Sequence, residues 1–80
     1  MIVKFLKGQN IDINIDTLTN IFDLKCYLAD ILNIKYMDIR IFLNGVEIKN
    51  NIILNQLNTS YLIGLEYESN KGFKVKNLII

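Results

Sequence analysis

Histidine and proline are absent from this chain of 80 residues, and cysteine occurs once, at Cys26. Without an imidazole, the chain cannot form the pairs that activate serine or cysteine nucleophiles, and it lacks a principal ligand of zinc. A lone cysteine cannot form an intramolecular disulfide, which favours a reducing intracellular compartment, the cytoplasm or the nucleus. We therefore expect no catalytic residues, no cofactor and no metal site, and a protein that is not an enzyme.

The chain also lacks an excess of charge and a long apolar run. Nine basic and eight acidic residues leave a formal net charge of +1, too little to attract a phosphate backbone. No apolar stretch approaches the roughly 20 residues that span a bilayer, and the N-terminus alternates at once instead of forming a signal peptide. We expect neither a nucleic-acid partner nor a membrane partner.

Hydrophobic residues make up 51% of the sequence, enough for the single core that so short a chain can build. Alternation over residues 1–6, the turn sequence 7–10 and a second alternating stretch through Ile11, Ile13 and Ile15 predict a β-hairpin. The next segment repeats its apolar residues every three or four positions. It predicts a helix over residues 21–32.

Polar residues mark both ends of this helix. Asn20 is placed to cap its N-terminus, with Asp23 in the first turn, and Asn33 is suited to the left-handed conformation that ends a helix. Lys25, on the inner flank, is expected to be a hydrogen-bonded structural lysine.

The second half of the chain predicts another hairpin and a last strand. Residues 39–43 alternate, Asn44-Gly45 is a strong hairpin signal leading into residues 46–48, and residues 61–67 alternate again. Leu54 and Leu57 are expected to anchor the turn-rich connection between them. The order predicts an α+β domain over residues 1–68, in which a mixed sheet of four to five strands packs on one helix.

Residues 69–80 are interpreted as a linker or C-terminal tail. The apolar stretch 73–80 is either an extra strand or the start of a larger protein, and the sequence leaves both alternatives open, together with whether the natural chain is longer.

Two segments resemble the ubiquitin-like β-grasp family. Residues 20–25, Asn-Ile-Phe-Asp-Leu-Lys, resemble the start of its helix, and residues 40–48, Arg-Ile-Phe-Leu-Asn-Gly-Val-Glu-Ile, resemble its third strand and turn. The resemblance covers residues 1–67 and implies a β-grasp fold. Conjugated members end in Gly-Gly, whereas only Gly72 follows the last predicted strand here. The resemblance therefore implies a non-conjugated member.

Ubiquitin-like proteins generally bind partners through the sheet face that points away from the helix. The resemblance and the alternation of side chains predict that this surface contains Lys4, Leu6, Arg40, Phe42, Leu62, Gly64 and Glu66. We expect Phe42 and Leu6 to anchor a partner helix or receptor domain, and Glu66 to pair with Arg40 or Lys4 and reduce the apolar area. In the alternative interpretation, Phe42 is an ordinary surface residue or is covered by the tail.

The expected function is a monomeric, non-covalent protein-interaction module, linked to ubiquitin and proteasome pathways or to other regulatory assemblies. The alternative is a free-standing assembly protein, in which residues 73–80 pair with a sheet edge of the same chain or of another copy.

Overall fold

The computed structural model describes residues 1–67. Its regular elements are β1 (Ile2–Phe5), β2 (Asn10–Asp12), α1 (Ile21–Leu32), β3 (Ile39–Leu43), β4 (Val46–Glu47) and β5 (Tyr61–Glu66). Short 3₁₀ turns lie at Ile15–Thr17 between β2 and α1, at Tyr36–Asp38 before β3, and at Leu54–Gln56 between β4 and β5. The predictions for the linker and tail, including a strand at 73–80, concern residues outside the described ones. No helix within residues 1–67 is long and apolar enough to cross a bilayer.

The strands form one mixed sheet in the order β2-β1-β5-β3-β4. β5 lies in the middle, parallel to β1 and antiparallel to β3, while both hairpins are antiparallel. This topology, with α1 across one side, is the α+β β-grasp architecture that the sequence predicts. As a result, β1, β5 and β3 are the three central strands of the sheet, and their side away from α1 forms a continuous surface.

The helix begins and ends where the sequence predicts, at Ile21 and Leu32. Asn20 accepts the Asp23 N–H at 2.9 Å, and the Asp23 carboxylate accepts the Asn20 N–H at 3.4 Å, a reciprocal capping box that satisfies otherwise unpaired helix donors. Asn33 ends the helix in the left-handed region, with φ 57° and ψ 46°.

The core lies between α1 and the helix-facing side of the sheet, which we call the inner face. It is formed by ten buried apolar residues, which are Val3, Phe5, Ile13, Ile21, Leu24, Leu28, Ile39, Ile41, Leu54 and Leu62. Leu54 is fully buried and Leu57 packs partly against the cluster, so the prediction that both anchor the connection is confirmed.

Lys25 is buried on α1, as its predicted structural role requires. Its ammonium donates to Asn50 Oδ1 at 2.7 Å and so ties the helix to the connection that follows β4. Burial lowers the pKa of this lysine, because the charged form loses hydration, while the carboxylate of Glu47 opposes that shift.

The second strand is shorter than the alternation predicts. The sequence suggests a strand through Ile15 and Asp16, but the chain leaves β2 after Asp12 and forms a 3₁₀ turn at Ile15–Thr17. Asn14 causes the change, since its side chain accepts the Asp16 N–H at 3.1 Å and its carbonyl accepts the Thr17 hydroxyl at 2.8 Å. Asparagine offers the backbone a local hydrogen bond in place of a ladder bond, which the alternation of isoleucines does not reveal.

Candidate protein-binding face

The side of the sheet that points away from α1 is called the outer face. Strand register decides which residues it contains, because paired residues of neighbouring strands point to the same side. Ile2 pairs with Tyr61, Lys4 with Ile63, Arg40 with Leu65, and Phe42 with Ile63. On the three central strands, and at Leu6 directly after β1, the outer face consists of Ile2, Lys4, Leu6, Arg40, Phe42, Tyr61, Ile63 and Leu65.

Four of the seven predicted site residues lie on this face, and three do not. Lys4, Leu6, Arg40 and Phe42 are placed as the sequence predicts. Leu62, Gly64 and Glu66 point to the inner face instead. The predicted placement of the last strand was therefore wrong by one residue, although which residues bind a partner stays a prediction.

The register with β1 explains this correction. Val3 faces the core and pairs with Leu62, so Leu62 must face the core as well, and it has no exposed surface. The row Tyr61, Ile63 and Leu65 is the more apolar of the two, because the other row contains Gly64 and Glu66 beside Leu62. Alternation alone therefore assigns the wrong row to the core, and only the pairing with β1 corrects it.

Gly64 faces the core because the ring of Phe5 occupies the space beside it. A Cβ atom built on Gly64 would lie 2.7–2.9 Å from three ring carbons of Phe5, closer than real contacts allow. The absence of a side chain at Gly64 thus leaves room in the core for the Phe5 ring.

Glu66 lies at the margin of the inner face. Its carboxylate is 3.4 Å from the Lys7 ammonium, and only 10% of its side chain is exposed. The expectation that Glu66 pairs with Arg40 or Lys4 in the middle of the binding surface is wrong. On the outer face, the three central strands therefore contribute no acidic residue, and the apolar area is larger than predicted.

The outer face is apolar at its centre and carries charges of both signs at its margins, since Glu47 of β4 lies opposite Phe42 and Asp12 of β2 lies opposite Ile2. Ile63, Leu65 and Phe42 are half-buried by their neighbours, whereas Leu6 is 70% exposed. Leu6 follows β1 but still donates its N–H to the Gly64 carbonyl at 3.2 Å, which fixes its position. The Lys4 ammonium lies over the Tyr61 ring, 4.5 Å from its centroid, so this cation is held at the edge of the apolar area.

Arg40 and Glu47 form a bidentate pair beside Phe42. The guanidinium donates from Nε to Oε2 at 3.0 Å and from Nη2 to Oε1 at 2.6 Å, and it lies 5.7 Å from the Phe42 ring centroid. Through these hydrogen bonds the pKa of Glu47 is lowered and the pKa of Arg40 is raised. The pair joins β3 to β4 beside the Phe42 ring.

Sequence reasoning missed four residues of this face, namely Ile2, Tyr61, Ile63 and Leu65. A signal was available in Gly64, since a glycine in a strand often marks close approach of a neighbour and here belongs to the row packed on Phe5. Among residues 1–67 no group of three or more acidic or cysteine side chains could hold a metal ion. The arrangement found is a largely apolar surface, with an exposed leucine, a phenylalanine and two cations, one of which is paired with Glu47.

The architecture and this surface define the chain as a protein with a ubiquitin-like β-grasp fold. Among solved structures, the chain is similar to a computationally designed protein based on the template of human erythrocytic ubiquitin. The two share 14% of their residues with a TM-score of 0.71, over 86% of this chain and 91% of that chain. At this identity the likeness shows the fold alone. No protein-family model matches the chain, and no curated protein matches it.

Proposed function

We propose that the protein is a non-covalent protein-interaction module, not an enzyme, and that its outer face binds an amphipathic helix of a partner. The observation that carries the proposal is the continuous apolar strip of Leu6, Ile63, Leu65 and Phe42 across three strands. A helix laid across such a strip buries its own apolar side chains at the i, i+3, i+4 spacing.

Charge indicates which helix the face would prefer. Lys4 lies at one margin of the apolar strip and Arg40 at the other, where the outward-facing Glu47 of β4 already pairs with Arg40. An acidic residue flanking the apolar side of a partner helix would therefore meet Lys4. Such charges chiefly affect the rate of association and the choice of partner.

The proposal extends to receptors of the ubiquitin type, in an intracellular setting and with a monomeric protein. Because Glu66 lies on the inner face, the centre of the outer face is apolar, which favours receptors that bind through apolar contacts. A link to the proteasome, or to another regulatory assembly, is part of this proposal and depends on which receptor binds.

The test is an NMR titration of the isotopically labelled chain with a panel of amphipathic receptor helices. We expect saturable shifts at the Leu6, Phe42 and Ile63 amides, and a loss of affinity of about tenfold or more in Phe42→Ala. Ile31→Ala is the matched control, because Ile31 is an apolar residue that is 49% exposed on the helix, on the other side of the sheet.

Both variants must keep the dispersed spectrum of the folded chain. Equal weakening by the two substitutions, or shifts that cluster on α1, would contradict the proposal. Absence of binding to every helix at millimolar concentration would remove the shared-receptor part of it.

A further inference from the structure

Within residues 1–67, the strand β4 ends the sheet on one side and presents an unpaired edge. Val46 pairs with Leu43 across the Asn44-Gly45 turn, and the Ile48 N–H donates to the Ile41 carbonyl at 2.9 Å. Backbone groups alternate in direction along an antiparallel strand, so the N–H and C=O of Glu47 point away from β3. Within residues 1–67 no strand lies beyond β4. The edge is therefore a template for one more strand.

An apolar groove of about 300 Å³ lies directly beside this edge. Its walls come from the β3–β4 hairpin and from the connection that follows, and include Leu43, Val46, Ile48, Ile52 and Leu57. Val46 is 68% exposed, although it is apolar. The volume is at the lower end of ligand pockets and suits one or two aliphatic side chains more than the several anchors of a helix.

The charged residues that line the groove are one lysine and one glutamate. Lys49 lines it, and no ion pair joins Lys49 to a carboxylate in the part of the chain described. Glu47 also lines it, but its carboxylate is directed to Arg40 on the outer face. A ligand that enters the groove therefore meets one cation whose charge is uncompensated nearby.

We propose that β4 and this groove bind an extended peptide segment of a partner protein. The segment adds a strand to β4 through the backbone groups of Glu47, places a β-branched or leucine side chain in the groove, and sets an acidic residue against Lys49. This surface is distinct from the outer face, since Val46 points to the inner side and the groove is formed by the connection 48–57.

Charge argues against two other occupants. A second copy paired symmetrically through the Glu47 backbone groups would set the two Glu47 side chains opposite each other, a contact between like charges. The chain's own residues 69–80 contain Lys71, Lys74 and Lys76 but no acidic residue, so they would repel Lys49. An acidic and apolar segment of another protein is the occupant that the groove fits.

The experiment titrates the labelled full chain with two capped seven-residue peptides. Both have isoleucine or valine at alternating positions, and one is flanked by aspartates while the other is flanked by lysines. We expect the aspartate peptide to shift the Glu47 and Lys49 amides saturably, to slow hydrogen exchange at Glu47, and to give backbone contacts with Glu47. The lysine peptide should bind more weakly, and the difference should shrink in high salt.

Three variants make the test specific. Lys49→Glu should weaken the aspartate peptide roughly two- to fivefold, the range of exposed ion pairs, whereas Lys35→Glu should leave it unchanged. Val46→Asp should abolish binding while keeping the folded spectrum, since Val46 is an exposed residue. Leu6→Asp, on the outer face, should have no effect, which separates this proposal from the helix-binding function.

Equal binding of the two peptides with no effect of Lys49→Glu would overturn the proposal, as would shifts at the other sheet edge, β2. Protection of the Glu47 amide before any peptide is added would show that the chain itself or a second copy fills the edge. That result would overturn it too.

Discussion

The glycine in the middle of β5 lies where the ring of Phe5 fills the core. A Cβ at Gly64 would approach three carbons of this ring to within 2.9 Å, and Phe5 itself is 4% exposed, so the ring has little room to move away. The close approach concerns two paired residues of β1 and β5. It therefore links the identity of one residue to the register of the central strands.

Gly64→Ala should lower the free energy of unfolding by about 1–3 kcal/mol, the usual effect of an extra carbon in a packed core. Urea unfolding measures the change. The double variant Gly64→Ala with Phe5→Leu should be less destabilised than the two separate effects predict, because the smaller side chain leaves space for the added methyl group. Strict additivity would show that the two residues do not compete for one space.

Lys25 gives a prediction about pH. Burial lowers its pKa below the ordinary value of 10.5, so the folded protein releases this proton before the unfolded chain does. Where the unfolded state binds more protons, stability rises with pH. Relative to Lys25→Met, the parent should therefore gain stability as the pH rises from the lowered pKa towards 10.5, and should show a constant difference at lower pH.

The difference between parent and variant removes the contribution of the other titrating groups. Urea unfolding of both proteins at a series of pH values measures it. A parent that loses stability relative to Lys25→Met over this range would show that the folded state favours the charged lysine, against the effect of burial.

At the scale of elements, the Arg40–Glu47 pair holds the short strand β4 against β3. Because the lowered pKa of Glu47 arises first from the hydrogen bonds of Arg40, Arg40→Gln should raise the carboxyl pKa towards its ordinary range. A depressed carboxyl pKa stabilises the fold above the unfolded pKa, and this stabilisation is lost as the pH falls through the folded pKa. An NMR titration of the Glu47 side chain measures the shift. An unchanged pKa in Arg40→Gln would assign it to another group.

The sequence predicted elements well where the signals are local and poorly where they depend on pairing. The ends of α1 follow from Asn20, Asp23 and Asn33, which act on neighbouring backbone groups, and they appeared at the predicted residues. The facing of β5 depends on Val3 and Phe5, which lie far away in the chain. Half of the candidate surface could therefore be read from β1 and β3, while the contribution of β5 required the register.

At the scale of the whole molecule, the sheet offers two separate surfaces. The outer face lies across β1, β5 and β3, and the groove lies beside β4 at the margin of the core. Both arise because, among the described residues 1–67, a single helix covers one side of a five-stranded sheet, which leaves the far side and one end uncovered. A single helix is enough to close the core, and the strands not covered by it become available for contacts.

This division predicts that alanine substitution has different effects at two adjacent residues of β5. Leu62 is fully buried, so Leu62→Ala should lower the free energy of unfolding by about 2–5 kcal/mol, a large part of the roughly 5–15 kcal/mol of a small domain. Ile63 lies on the outer face between Lys4 and Phe42, so Ile63→Ala should lower the free energy of unfolding by about 1 kcal/mol or less.

Urea unfolding measures both changes, and the titration with amphipathic helices should show that Ile63→Ala, still folded, loses affinity. If Ile63→Ala destabilised the fold more than Leu62→Ala, the sidedness of β5, and with it the outer face, would be wrong. The pair of alanine variants therefore separates residues that build the core from residues that contact a partner, one position apart in the same strand.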